Sequence, residues 1–243
     1  MNCLGKSAER LFANRLNAVV EHMHLHRNIW LGGRRTKSAI HTALLIYHQV
    51  QEEKLANRAV TTVFLDIKGA FDHVAKNQLL SILARLGLPV SLMSWVKSFL
   101  STRLLRLSFD GNTQNFTEII TGIPQGSPIS PILFLIYIRN LFCSSSICYL
   151  SYIDDIAIMV ASTTTIRNIA ILERELAKLY TLGNKSGVEF DLDKIELIHW
   201  VNIKKQLPSI KLPTGINKTS KSMVKWLGIY FDSKMSFREH IQI

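Results

Sequence analysis

The sequence predicts an α+β fold, and three observations carry that expectation. Tyr152-Ile153-Asp154-Asp155 lies between two runs rich in β-branched and apolar residues, Ser146 to Ser151 and Ile156 to Val160, which reads as a β-hairpin with both aspartates at its tip. A further apolar run, Val60-Thr61-Thr62-Val63-Phe64-Leu65, reads as a strand that delivers Asp66 at its end. Around these strands, apolar residues recur at helical intervals. With 243 residues, 47% of them hydrophobic and 19% charged, the chain has the composition of a folded protein with an ample core.

Taken in order, Ala8, Leu11, Phe12, Leu16 and Val19 predict an amphipathic helix from Ser7 to about Val20. His22-Met23-His24-Leu25-His26 alternates histidines, but no cysteine or carboxylate pair completes a metal set nearby, so the segment reads as solvated and weakly basic. Gly32-Gly33-Arg34-Arg35-Thr36-Lys37-Ser38 opens a helix through Leu44, Leu45 and Val50. Cations beside helix-start N–H groups make an anion site, and an ordinary loop with Thr36 or Ser38 as N-cap reads equally well. Glu52 to Arg58 reads as a charged connector into the Val60 strand. Behind Asp66, the small residues of Ile67-Lys68-Gly69-Ala70-Phe71-Asp72 let a ligand approach the backbone closely. Phe71 then sits beside that ligand, or else is a core anchor with Asp72 as a helix-start acid.

Helices are expected over Lys76 to Leu86 and Val90 to Leu100, with Gly87-Leu88-Pro89 ending one and starting the other. Arg103 to Phe109 and Phe116 to Ile120 read as hairpin arms around Asp110-Gly111-Asn112. Three prolines and two glycines stiffen the loop from Gly122 to Pro131, which holds one amide, Gln125. A structural turn would not require an amide there. Pro131 suits the first position of a helix from Ile132 to Leu141. Ile166, Ile169, Ala170, Leu176, Leu179 and Tyr180 predict a helix ended by Gly183. Val188-Glu189-Phe190 and Lys194 to Trp200 supply further strands, Lys204 to Lys221 a polar loop, and Lys225 to Phe231 a last strand.

Lys and Arg number 29 against 18 Asp and Glu, a net charge of +11 that favours a polyanionic partner. A membrane is not expected: the longest apolar run, Ile132 to Ile138, is far too short to span one, and no signal peptide or lipidation motif is visible. Cys3, Cys143 and Cys148 form an odd set without zinc spacing, which suits a reducing compartment and buried thiols.

Asp-Asp at a hairpin tip is also what an ordinary turn shows, since Asp favours turns. Asp66 shifts the balance. Three carboxylates ending neighbouring strands form the oxygen set that hard divalent ions require, and two such ions suit phosphoryl transfer.

Gly33 to Ser38, Phe64 to Asp72, Gly122 to Pro131, Tyr152 to Asp155, Asp193-Lys194-Ile195-Glu196-Leu197 and Trp226-Leu227-Gly228 occur in an order that resembles the reverse transcriptases of non-LTR retrotransposons, particularly those of fungal elements. The likeness covers essentially the whole chain. It implies a right-hand polymerase fold, with an antiparallel palm sheet backed by helices, fingers from the N-terminal third, and one domain over residues 1–243 that stops before a thumb. It implies an RNA-directed DNA polymerase that copies retrotransposon RNA, with RNA template, DNA primer and deoxynucleoside triphosphates as partners. Asp66, Asp154 and Asp155, with the Ile67 carbonyl, would hold two Mg²⁺ ions, or Mn²⁺. Arg34, Lys37, Lys68, Gly69 and Ala70 would meet the triphosphate, Phe71 would exclude a 2′-hydroxyl, and Gln125 would touch the nascent pair. Lys194 would act near the leaving pyrophosphate, and Trp226, Leu227 and Gly228 would form the primer grip. Action inside the cell is expected, in the nucleus or in a cytoplasmic ribonucleoprotein.

Two residues depart from the family pattern. Ile153 stands where alanine is commoner, and Lys37 replaces a usual arginine, trading a bidentate contact for a point charge. The alternatives are a catalytically dead fragment that only binds RNA or RNA/DNA hybrid, and a relative of intron maturases or viral RNA polymerases.

Overall fold

The computed structural model describes residues 3–23, 31–34, 37–101, 103–142, 147–201 and 207–242. His24, Leu25, His26, Arg35, Thr36, Cys143, Ser146 and Lys204, named above, lie outside the described residues. The chain runs through α1 (Cys3–His22), α2 (Ala39–Leu55), β1 (Ala59–Lys68), α3 (Lys76–Arg85) and α4 (Val90–Leu100). Four two-residue strands follow: β2 (Leu104–Leu105), β3 (Ser108–Phe109), β4 (Asn112–Thr113) and β5 (Thr117–Glu118). Then come α5 (Ser130–Ile138), β6 (Cys148–Tyr152), β7 (Asp155–Ser162), α6 (Thr165–Ser186), β8 (Glu189–Phe190) and β9 (Glu196–His199). The last elements are β10 (Ile210–Lys211), β11 (Asn217–Lys218), β12 (Met223–Trp226), β13 (Ile229–Asp232) and α7 (Arg238–Gln242).

Contacts divide these elements into two compact units that interleave in sequence, where the sequence reads as one domain. One comprises Met1–His26, Gly69–Arg139 and Ser186–Val188, the other Arg27–Lys68, Asn140–Lys185 and Glu189–Ile243.

The second unit is built on an antiparallel sheet with β1 at its centre. β7 pairs along one edge of β1 and carries β6 outside it; β8 and β9 pair with the other edge. Side chains alternate across a strand, so Val60, Thr62, Phe64 and Asp66 share one face. On that face Ala43, Ile46 and Val50 of α2 pack with Phe64, Leu150, Ala157, Met159, Ile198, Trp200 and Trp226 in one buried cluster. Each large apolar side chain so buried stabilises by about 1.5–3 kcal/mol. The polar Thr62 is accommodated because its hydroxyl accepts from Trp200 Nε1 at 2.7 Å. α6 lies on the opposite face. Its Asn168 donates to the Ala59 carbonyl and to Thr61 Oγ1, at 2.7 and 3.1 Å, and the Tyr149 hydroxyl donates to the buried Glu175.

α2 starts cleanly because Ser38 caps it. Its Oγ accepts from the His41 amide at 3.4 Å while His41 Nδ1 accepts from the Ser38 amide at 3.3 Å, a reciprocal capping box with histidine in the usual Glu position. The helix continues through Glu52, Glu53 and Lys54, which the sequence reads as connector; Gln49 Nε2 meets Glu53 Oε1 one turn on, and Asn57 at φ 56° ends the run.

In the first unit α5 is apolar all round and buries every residue except Pro131 in its opening turn, the mark of an internal helix. α1 and α3 pack against it, and α4 against α3. Phe12 stacks on Trp95 with ring centroids 4.1 Å apart. β3 and β4 join through Asp110 and Gly111, at φ 47° and 76°, as a primed hairpin turn requires.

Several expectations need correction. Asp155 is the first residue of β7 and not part of the tip, which consists of Ile153 and Asp154. Lys225 to Phe231 is not one strand but a hairpin, β12–β13, turning at Leu227 and Gly228 with φ 51° and 79°. The Lys204 to Lys221 segment contains the β10–β11 hairpin, closed by the Leu212 amide on the Ile216 carbonyl at 2.8 Å. Gly183 lies buried inside α6, and the helix ends before Gly187, at φ 67°. α5 stops at Ile138, short of Leu141. Cys3 is exposed and not buried, whereas burial pushes the half-buried Cys148 thiol up to about 11. Among the described residues, no helix is long and apolar enough to cross a membrane.

Candidate active site

β1 and β7 run antiparallel in a register that ends with Asp66 opposite Asp155. Directly paired residues point to the same face, so the two carboxylates project together beside Phe64 and Ala157. The two-residue turn before β7 adds Asp154. Its first position is Ile153 at φ 63°, a conformation that a β-branched residue adopts only under constraint, at a cost of about 1–3 kcal/mol. Leu31 and Gly32 brace this end of β6, directing their amides at the Ser151 carbonyl at 3.0 and 3.5 Å.

The carboxylates feel each other. Burial raises Asp154 above the usual carboxylate range, with repulsion from Asp66 adding to it. Asp155 is pushed up to about 6, first by burial and then by the charges of Asp154 and Asp66. Lys194, just before β9, answers them. Its Nζ lies 2.7 Å from Asp66 Oδ2 and 3.5 Å from Asp191 Oδ2, and the hydrogen bond to Asp66 raises the lysine pKa. A cleft of 430 Å³ opens over this cluster, lined by Phe64, Leu65, Asp66, Asp155, Asp193, Lys194, Glu196, Lys225 and Trp226.

This donor set fits a hard divalent ion. It consists of carboxylate oxygens, two of the groups are raised by burial and by crowding of like charge, and an ammonium has been drawn onto Asp66 as a stand-in cation. Among the described residues no three His, Cys, Asp or Glu side chains are gathered at metal-ligand spacing, so the carboxylates are neighbours that must still close on an ion.

Other residues singled out from the sequence are distributed unevenly. Trp226 lines the same cleft, buried, with its ring 5.3 Å from that of Phe64 and its indole N–H without a partner among the described residues; Leu227 and Gly228 form the adjoining turn. Ile67 is buried in the β1–β8 pair, and Lys68 is exposed at the strand end, where its ammonium pairs with Glu189 at 3.3 Å. Arg34 and Lys37 do not line the carboxylate cleft. Lys37 borders a separate cavity with His41, Tyr47 and His48.

Gly69, Ala70, Phe71 and Gln125 belong to the other unit, where two motifs meet. Gly69 at φ 54° starts a turn whose carbonyl accepts from the Asp72 and His73 amides, at 2.9 and 3.1 Å. The Ile123 amide donates to the Phe71 carbonyl at 2.8 Å, and a Cβ on Gly122 would lie 2.8 Å from the Asp72 carbonyl oxygen. The loop therefore lies flat on Phe71 and Asp72. Gln125 Nε2 donates to both Asp72 carboxylate oxygens, and the Phe71 ring meets Phe134 edge-on at 5.4 Å.

Sequence reasoning missed Asp191, which shares Lys194 with Asp66, and the lining residues Glu196 and Lys225. The spacing of Asp191 and Lys194, three residues apart, was the available signal. Gly32 reads from the sequence only as part of the glycine-and-cation segment before α2, which gives no sign of its contact with the aspartate turn.

An antiparallel sheet whose central strand and neighbouring hairpin bring three carboxylates to one end is the palm of a nucleic-acid polymerase. The chain belongs to the reverse transcriptase family: the family model described as reverse transcriptase (RNA-dependent DNA polymerase) matches residues 1–231. It is similar to the RNA-directed DNA polymerase from mobile element jockey of Drosophila melanogaster, 27% identical over 98% of this chain and 27% of that protein. The jockey polymerase of Drosophila funebris is 26% identical over the same shares. The Pol polyprotein from the R2 retrotransposable element of Popillia japonica is 28% identical over 59% of this chain and 20% of its own length. These are insect elements and lend the narrower fungal likeness no support. The chain spans about a quarter of the length of the jockey proteins it matches. Among solved structures, apo telomerase from Candida tropicalis truncated from its C-terminal domain superposes with a TM-score of 0.63 over 93% of this chain and 44% of that one. At 12% identity, that likeness concerns the fold alone.

Proposed function

We propose that this chain is the polymerase portion of an RNA-directed DNA polymerase from a non-LTR retrotransposon, extending a DNA primer on an RNA template with deoxynucleoside triphosphates. The observation that carries the reading is the pairing of Asp66 with Asp155 at the sheet end, with Asp154 adjoining and the Lys194 ammonium on Asp66. The net charge of +11 supports a nucleic-acid partner.

Asp66, Asp154 and Asp155, with the Ile67 carbonyl, would hold two Mg²⁺ ions, Mn²⁺ serving in their place; when bound, the ions supply Lewis acidity to the primer 3′-hydroxyl and neutralise triphosphate charge. Lys194, whose ammonium sits on Asp66 Oδ2, would offer that charge to the leaving pyrophosphate. Arg34, Lys37, Lys68 and the backbone at Gly69 and Ala70 meet the triphosphate. Phe71 bars a 2′-hydroxyl, Gln125 contacts the nascent pair, and the Trp226–Gly228 turn grips the primer. We assign its work to the nucleus or to a cytoplasmic ribonucleoprotein.

The test is primer extension on an RNA template with Mg²⁺. The unmodified chain is expected to make cDNA and Asp154→Ala to abolish it. Salt-sensitive RNA binding without synthesis at any Mg²⁺ concentration would instead mark a fragment that only binds.

A further inference from the structure

The backbone that leads into α2 crosses the catalytic turn at Gly32, which is buried there. A Cβ placed on Gly32 would lie 2.5 Å from the Ile153 amide nitrogen, 2.8 Å from the Tyr152 carbonyl carbon and 2.8 Å from Ile153 Cγ1. Two of these three atoms are backbone and cannot swing aside. Gly32 is not among the glycines with positive φ, so its own conformation is open to other residues. The need for glycine at this position is the close approach itself.

What it approaches is strained. Ile153 holds φ 63° between Tyr152 and Asp154, and strain of this kind persists only where the surroundings over-determine it. Leu31 and Gly32 supply such surroundings, since their amides reach the Ser151 carbonyl while the bare α-carbon of Gly32 seats the turn.

We infer that Gly32 is a positioning residue for the catalytic aspartates: its close approach to Tyr152 and Ile153 holds the turn in its left-handed conformation and so sets Asp154 and Asp155 beside Asp66. The inference rests on the polymerase reading for its consequence in catalysis, but not for its structural content.

Gly32→Ala, made in the full chain, is compared with Gly215→Ala. Gly215 sits at φ 89° with nothing near its α-carbon, so alanine there costs stability through strain without touching the site. In metal-free protein, amide exchange across residues 148–158 should rise about ten-fold in Gly32→Ala and stay unchanged in Gly215→Ala. In primer extension, Gly32→Ala should lower kcat by about a hundred-fold with the nucleotide KM little altered, the cost of a displacement of about 1 Å. Adding Ile153→Ala removes only the Cγ1 contact and should not restore activity; recovery would show side-chain crowding in place of a backbone clamp and overturn the inference. Unchanged exchange at residues 148–158 overturns it too.

Ile153→Gly keeps the inference testable should Gly32→Ala not fold. Ile153→Gly and Ile153→Ala both lose the half-buried side chain, but only glycine accepts φ 63° freely, so Tm should be higher in Ile153→Gly than in Ile153→Ala; a lower value would mean no strain for Gly32 to hold. If the unmodified chain makes no cDNA, the polymerase reading falls while the exchange and Tm results still decide on Gly32.

Discussion

Gln125 donates its amide to both carboxylate oxygens of Asp72, with Nε2 at 3.0 and 3.1 Å. A free glutamine amide offers either end to a ligand, but this one has its N–H end committed. On the proposed function, its carbonyl oxygen is the end turned toward the nascent pair.

Asp72→Ala should release that choice and lower kcat/KM by about three- to ten-fold, because an exposed hydrogen bond to a charged group is worth about 1 kcal/mol. Asp72→Asn keeps an acceptor and should retain most of the activity. Steady-state kinetics on matched and mismatched templates decide: equal damage in both variants would show that the orientation of the amide is irrelevant.

Lys194 competes with any divalent ion for Asp66 Oδ2. Removing it as Lys194→Ala should tighten Mn²⁺ binding in the absence of nucleotide by about two- to five-fold and no more, since the ammonium is largely exposed and water screens such pairs. Calorimetric titration of the metal-free protein measures this. Extension should nonetheless slow, as the leaving pyrophosphate loses its cation.

His199 is held neutral by its surroundings. Nε2 lies 3.0 Å from the Pro208 carbonyl, which can only accept, so Nε2 carries the proton and Nδ1 accepts from the Thr61 hydroxyl at 2.8 Å. Burial lowers its pKa below the ordinary value of 6.5. On acidification through that value the unfolded chain takes up a proton that the folded chain refuses, so stability present above about pH 6.5 is lost as pH falls toward the folded pKa. The loss should vanish in His199→Gln. Asp155 acts with the opposite sign near 6 in both proteins and cancels in the difference of their denaturant midpoints.

Phe71→Val should raise ribonucleotide use relative to deoxynucleotide use by about 10- to 100-fold, the scale on which one excluded group is discriminated. Because the ring also packs against Phe134, some loss of Tm should accompany the change. The ratio of kcat/KM for the two nucleotide types is the measurement. An unmodified protein that already uses both equally would refute the steric role.

The strand that carries Asp66 and the hairpin that carries Asp154 were legible because runs of β-branched residues broken by aspartate fit few arrangements besides a strand meeting a turn. Helices α3 and α4 were legible from Gly87-Leu88-Pro89, which ends one and starts the other. What escaped was set by tertiary structure. Leu227 at φ 51° has no local signature, so the β12–β13 hairpin read as one strand. The strands β10 and β11 are two residues each, too short for a period to emerge. Gly183 read as a helix end because burial against neighbours, which lets a glycine remain inside α6, leaves no trace in the sequence. Gly32 and Asp191 owe their places to Ile153 and Lys194, partners visible only once the chain has folded.

The position of β1 has a bearing on the gene as well as on the site. Its Thr61–Phe64 stretch is hydrogen-bonded to β9 and its Ile67–Lys68 end to β8, both contributed from beyond residue 188. A premature stop codon just before Glu189 would remove both partners and leave a long, apolar strand with one open flank, a template for cross-β stacking between copies. Such truncated alleles should accumulate as insoluble aggregates and not as soluble, merely inactive protein.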